Sequence, residues 1–177
     1  MITKNFKALL QAILQSSGST GSLGYIPAKS TGGGSCYIGG MMSRFPYNVN
    51  TNAYFSYPPN AGIYFGSGNT PATENDYDLE TLITSGLSAS TPTVTRSADS
   101  DGNPFIQFMI TITNSSASPI TIREVGYYQM ISATNSYGGM ANSQWTFMLD
   151  RTVLDTPLTI PAGESGVLKY VLKTIIS

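Results

Sequence analysis

The chain has 177 residues, nine Lys or Arg against ten Asp or Glu, and a formal net charge of −1. That length suits one domain with a real core, and sparse charge among abundant Gly, Ser, Thr, Asn and Tyr is unlike a disordered chain, which is charged and poor in aromatics. No basic excess supports binding nucleic acid through its phosphates, and the lack of any histidine removes Ser–His–Asp and Cys–His catalysis and the usual zinc ligand sets.

Ile2, Phe6, Leu9, Leu10, Ile13 and Leu14 recur at the spacing of one helical stripe. They predict an N-terminal amphipathic helix with Thr3 as its N-cap. It should end near Ser16 or Ser17, where Ser-Ser-Gly-Ser-Thr-Gly-Ser has the composition of a flexible tether. A helix of about a dozen residues is marginal alone in water, so the stripe must dock. It can cover its own sheet or grip a neighbouring subunit, and its six apolar residues are the candidate assembly interface. Two lysines give little support for a membrane-surface helix. No segment is expected to span a bilayer, and Gln11 and Gln15 spoil a signal peptide.

Residues 18–62 show little periodicity and read as a Gly/Ser/Tyr-rich irregular segment. Gly32-Gly33-Gly34 and Gly39-Gly40 mark turns or close backbone approaches. Tyr47, Tyr54 and Tyr57 stand among Asn, Ser and Pro. Such rings make rigid recognition surfaces, or they hold down a long loop by packing. The single Cys36 has no internal disulfide partner and reads as a small buried residue.

A β-sandwich domain is expected over residues 63–177, Ig-like or jelly-roll-like, and mainly antiparallel. Ala61-Gly-Ile-Tyr-Phe65 reads as a strand entering the turn Gly66-Ser-Gly-Asn-Thr-Pro71. A phosphate-loop reading of that turn fails for want of a following Lys and a third glycine. Glu74, Asp76, Asp78 and Glu80 follow, either as a solvated acidic loop or as oxygen ligands for calcium. Asp99-Ser-Asp-Gly-Asn103 reads as a hairpin turn. It begins like a calcium loop but lacks the closing bidentate Glu.

Ile106, Phe108, Ile110 and Ile112 alternate with Gln107, Met109, Thr111 and Thr113. This is a half-buried strand. After the turn formers of residues 114–119, Ile120 and Ile122 restart the pattern, which suggests an antiparallel hairpin. Glu124 on the second strand needs a partner if it points inward, and Arg123 or Arg151 could supply one. Residues 132–142 form a polar loop bearing Tyr137, a further candidate recognition residue. Trp145, Phe147 and Leu149 make another alternating strand, and Leu158 and Ile160 lead through a Pro-Ala-Gly-Glu-Ser turn into a strand from Val167, a second expected hairpin unit.

Three stretches together resemble a family of small bacteriophage virion proteins found in tails, fibres or head accessories. They are Ile63-Tyr-Phe-Gly-Ser-Gly-Asn-Thr-Pro through Glu80, Ile112-Thr-Asn-Ser-Ser through Glu124-Val-Gly-Tyr127, and Leu149-Asp-Arg-Thr-Val-Leu followed by Leu158-Thr-Ile-Pro-Ala-Gly-Glu-Ser165. The resemblance covers about two thirds of the chain and implies a non-enzymatic structural protein located in the virion. It implies no catalytic residue, cofactor or metal. The expected partners are further copies of the chain, as a trimer or ring, and other virion proteins; neither nucleic acid nor membrane is expected. The alternative is a receptor- or glycan-binding fibre module that uses the four tyrosines. A cell-wall hydrolase would have to draw its paired carboxylates from Asp76, Asp78 and Glu80.

Overall fold

The computed structural model describes residues 1–8, 26–38, 62–133 and 143–173. These are mainly β, in antiparallel sheets: β1 (Ile26–Lys29), β2 (Ser35–Ile38), β3 (Gly62–Gly66), β4 (Leu87–Ala89), β5 (Thr93–Ala98), β6 (Pro104–Asn114), β7 (Ile120–Ala133), β8 (Ser143–Ile160) and β9 (Ser165–Lys173).

β6 is the spine of one sheet. Its alternation buries Phe108, Ile110 and Ile112 and leaves Met109 exposed, as a half-buried strand requires. β9 pairs along its whole length, from Phe105↔Lys173 to Thr113↔Ser165. β4 and β5 share the opposite edge in succession. Between them Ser90 keeps the ladder alive, its N–H donating to Thr111 O and its Oγ accepting from Thr111 N; Pro92 lacks an N–H to donate, and pairing resumes at Thr93↔Met109. The second sheet has the order β3-β7-β8. The two sheets share one core: Ile63 and Phe65 from β3, Ile122 and Val125 from β7, and Ile160 from β8 pack with Phe108, Ile110, Ile112, Leu168 and Tyr170.

This pairing corrects both hairpins expected from the strand pattern. β6 and β7 lie in different sheets, and so do β8 and β9. Alternation tells which face of a strand is buried but not which strand lies beside it, and connections of five residues (115–119) and four residues (161–164) are long enough to step between sheets packed about 10 Å apart. The two turns cross side by side and are pinned by Asn114. Its N–H donates to Glu164 O at 2.9 Å, and its C=O accepts from Gly163 N at 2.9 Å. Its buried amide donates to Ser118 O at 2.8 Å and to Ile160 O at 2.9 Å.

The hairpin at Asp99–Asn103 joins β5 to β6. Gly102 takes φ +81° and donates to Asp99 O, while the Asp99 carboxylate accepts from the N–H groups of Asp101 and Asn103. β8 is one strand of 18 residues, where the pattern suggested separate pieces around Leu149 and Leu158. Its pairing with β7 slips between Leu158 and Val153, and that irregularity accommodates Pro157.

Among the described N-terminal residues, 4–8 are helical. Ile2 lies before them, in an extended bridge to Asp150, so the expected stripe does not begin on a helix. The β8 edge accounts for this: unpaired strand-edge groups are costly to bury, and residues 1–3 satisfy them. Arg151 N donates to Met1 O and Thr3 N to Leu149 O. β1 and β2 form a hairpin inside the stretch expected to be irregular. Strands of four residues are too short for a periodicity window to register.

Candidate functional site

Among the described residues the densest constellation of charge is built around Glu124, which is fully buried on β7. One carboxylate oxygen accepts from Gly68 N at 3.1 Å and Thr81 N at 2.9 Å. The other accepts from Glu80 N at 3.2 Å and from Arg151 Nε at 2.7 Å. The guanidinium of Arg151, on β8, continues outward to Asp76 at 2.8 Å and Glu80 at 3.4 Å. The result is a clasp that straps residues 67–82 over the sheet. Arg151, not Arg123, is the partner Glu124 requires.

The Gly-x-Gly turn follows from the same geometry. A Cβ on Gly66 would lie 2.4 Å from a Glu124 carboxylate oxygen and 2.7 Å from Thr81 O, and one on Gly68 would lie 2.6 Å from that carboxylate oxygen. Both glycines therefore serve a close backbone approach to an anion held inside the protein.

The acids of the strap are fasteners; the reading of a solvated loop holds for Glu74 and Glu80, whose side chains stay exposed, and is corrected for Asp76 and Asp78, which are more enclosed. Burial acts to raise the pKa of Asp76, but hydrogen bonds from Arg151 and Thr73 outweigh it and hold the carboxyl below its ordinary value. Glu80 is lowered by hydrogen bonds from the Thr70 N–H and hydroxyl. Asp78 is raised, because burial outweighs the hydrogen bonds it accepts from Tyr128 OH and Leu79 N. Burial opposes the charge of Arg151, but its carboxylate partners prevail and raise its pKa. Each candidate acid for hydrolysis or calcium is thus engaged within the fold. Among the described residues no group of three His, Cys, Asp or Glu is arranged to hold a metal.

A second constellation surrounds the N-terminal residues. Thr3 is fully buried and Asn5 nearly so. Thr3 Oγ1 donates to Met148 O at 2.8 Å. The Asn5 amide donates to Lys29 O at 2.8 Å and accepts from Lys29 N at 2.9 Å, imitating a strand partner for β1. Phe6 and Ala8 pack with Cys36, Phe147, Leu149 and Trp145. Burial pushes the Cys36 thiol up to about 11, consistent with an inert packing role. Lys4 N donates to Glu74 O, and Lys4 and Lys7 both pair with the Glu74 carboxylate. Beside them Asp150 accepts from the hydroxyls of Tyr170 and Thr152 and lies 3.2 Å from the Met1 ammonium.

Of the candidate interface residues, Ile2 and Phe6 are half-buried against their own chain. Leu9, Leu10, Ile13 and Leu14 lie outside the described residues, as do Tyr47, Tyr54, Tyr57 and Tyr137. Sequence reasoning missed Thr3 and Asn5 as buried, hydrogen-bonded contacts. The available signal was two short polar residues between Ile2 and Phe6 of the apolar stripe, a pattern that capping explains equally well for Thr3. No protein-family model, curated protein or solved structure matches this chain.

Proposed function

We propose that this chain is a non-enzymatic structural protein of a bacteriophage virion, a rigid β-sandwich used in several copies. In this reading the two sheets that share a core are the layers of the sandwich. One observation carries it. The three stretches that resemble the virion family are far apart in sequence, yet Gly66 and Gly68 of the first, Glu124 of the second and Arg151 of the third meet in a single clasp. Their distinctive residues hold the body together, as expected where shape is the function. The acids of the strap, which a hydrolase would need free, are engaged in the same task.

Density-gradient purification of particles from a lysate of the encoding phage tests the proposal. Peptides of this chain should co-sediment with intact particles at a constant ratio to the major capsid protein. Recovery only in the soluble fraction would overturn it.

A further inference from the structure

We infer that residues 1–8 are an exchangeable arm, which in the assembled particle seats on the β8 edge of a second copy. The inference rests on the virion reading and names the contact that joins the copies.

The seat consists of residues remote in sequence from the arm: Met148 to Arg151 on β8, Lys29 on β1, and Glu74 with Asn75 on the strap. Its recognition is specific. The arm completes a strand edge with backbone hydrogen bonds on either side of Ile2. It also buries Thr3 and Asn5, whose polar groups would be costly anywhere that did not match them. Phe6 and Ala8 add an apolar anchor. This is how a peptide strand is recognised at a sheet edge, with backbone bonds giving affinity and side-chain seats giving specificity.

Only residues 9–25 connect the arm to β1. With residues 9–16 counted at the helical rise the stripe predicts and residues 17–25 extended, the stretch spans roughly 40 Å, matching the width of about 40 Å expected for a compact domain of this length. A neighbour's seat is therefore within reach, and an arm docked there makes every contact it makes at home. Exchange costs no interaction; the choice is governed by effective concentration. Among close-packed identical copies a neighbour's arm competes on nearly equal terms, which is the usual basis of swapped assembly. The β8 edge is covered in either state, but only exchange also links copies.

The test uses full-length chains. One carries Lys4→Cys and a mass tag; the other carries Asn75→Cys. The two backbones lie side by side, Lys4 N donating at 2.8 Å to the carbonyl of Glu74, the residue before Asn75, which brings the two Cα atoms near the span of a disulfide. Cys36 stays in place, and singly substituted controls set its background. After co-production and mild oxidation, the assembled fraction should contain a reducible disulfide heterodimer at least tenfold above the dilute unassembled fraction. The double variant Lys4→Cys/Asn75→Cys, made in one chain, should crosslink in either arrangement. Intact particles in which it closes only within a chain, with no heterodimer from the single variants, would overturn exchange and leave the virion role standing. A double variant that forms no disulfide at all would remove the seat and overturn exchange too. Should the chain be absent from particles, the virion role fails first, and the same crosslink in concentrated solution decides exchange separately.

Discussion

Glu124 and Arg151 form one ion pair but are not equivalent. Removing the carboxylate leaves a buried guanidinium short of its inner partner and strips an acceptor from the N–H groups of Gly68, Glu80 and Thr81. Removing the guanidinium leaves Glu124 with all three N–H donors, while Asp76 and Glu80 are less buried than Arg151 and can turn toward water. Breaking a buried pair costs about 3–5 kcal/mol. Glu124→Met, which removes both oxygens at similar volume, should fall at the upper end of that range and Arg151→Met at the lower, read as shifts in urea midpoint at constant m-value. The reverse order would mean that the amides, not the guanidinium, are dispensable to Glu124. The glycines divide on the same logic. Gly66→Ala drives a methyl into Glu124 and the Thr81 carbonyl and should cost about 3 kcal/mol or more. Gly102→Ala meets nothing within 4 Å and should cost only about 1–2 kcal/mol for its left-handed backbone. That Glu124 needs a cation was legible from an acid on an apolar strand. Which arginine, and why two glycines stand a residue apart before an acidic run, was not, because those facts arise only when strands distant in sequence become neighbours.

At the level of elements, the strands themselves were legible and their partners were not. Period-two alternation identified β6, the start of β7 and the core of β8, and Asp-Gly identified the β5–β6 turn, because both signals are local. Sheet membership is set by what a turn is tied to, and at both crossings that tie is Asn114. Its amide nitrogen donates to the carbonyls of Ser118 and Ile160, and its oxygen accepts from Ser116 N and Oγ. Asn114→Ala orphans buried groups on both turns and should cost about 2–4 kcal/mol. Asn114→Asp is the sharper probe. It keeps the acceptor but sets a carboxylate against the carbonyls the nitrogen used to satisfy. At neutral pH it should be less stable than the alanine variant, and the gap should close as the pH falls toward about 4, the unfolded carboxyl value, because burial among carbonyls raises the folded pKa above it. An aspartate variant that matches wild type at pH 7 would show that the pin is not the amide.

Across the whole molecule, the pattern of perturbed groups sets the shape of the stability profile. Glu74, Asp76, Glu80 and Asp99 titrate below their ordinary values, each through hydrogen bonds or ion pairs made in the folded state. The stability they contribute is present above the unfolded carboxyl range near pH 4 and is lost as pH falls through their lowered values. Asp78 is raised and opposes them, but it is one group against four. At the other end, burial pushes the Tyr64 hydroxyl up to about 12 and the Cys36 thiol up to about 11, and it raises Tyr128 and Tyr170 further, with help from Asp78 and Asp150 respectively. A raised group stabilises the fold below its unfolded pKa and ceases to do so as pH climbs toward the folded one. For a free thiol and phenols that loss begins around pH 8.5 to 10. Calorimetric Tm should therefore be level between about pH 5 and 8 and decline on both sides. Tyr170→Phe loses the hydrogen bond to Asp150, so its Tm should be lower on the plateau but fall less steeply above about pH 10. Because Phe cannot ionise, an alkaline limb of unchanged slope would show that the buried phenol at the foot of the N-terminal seat does not help set the upper limit of the fold.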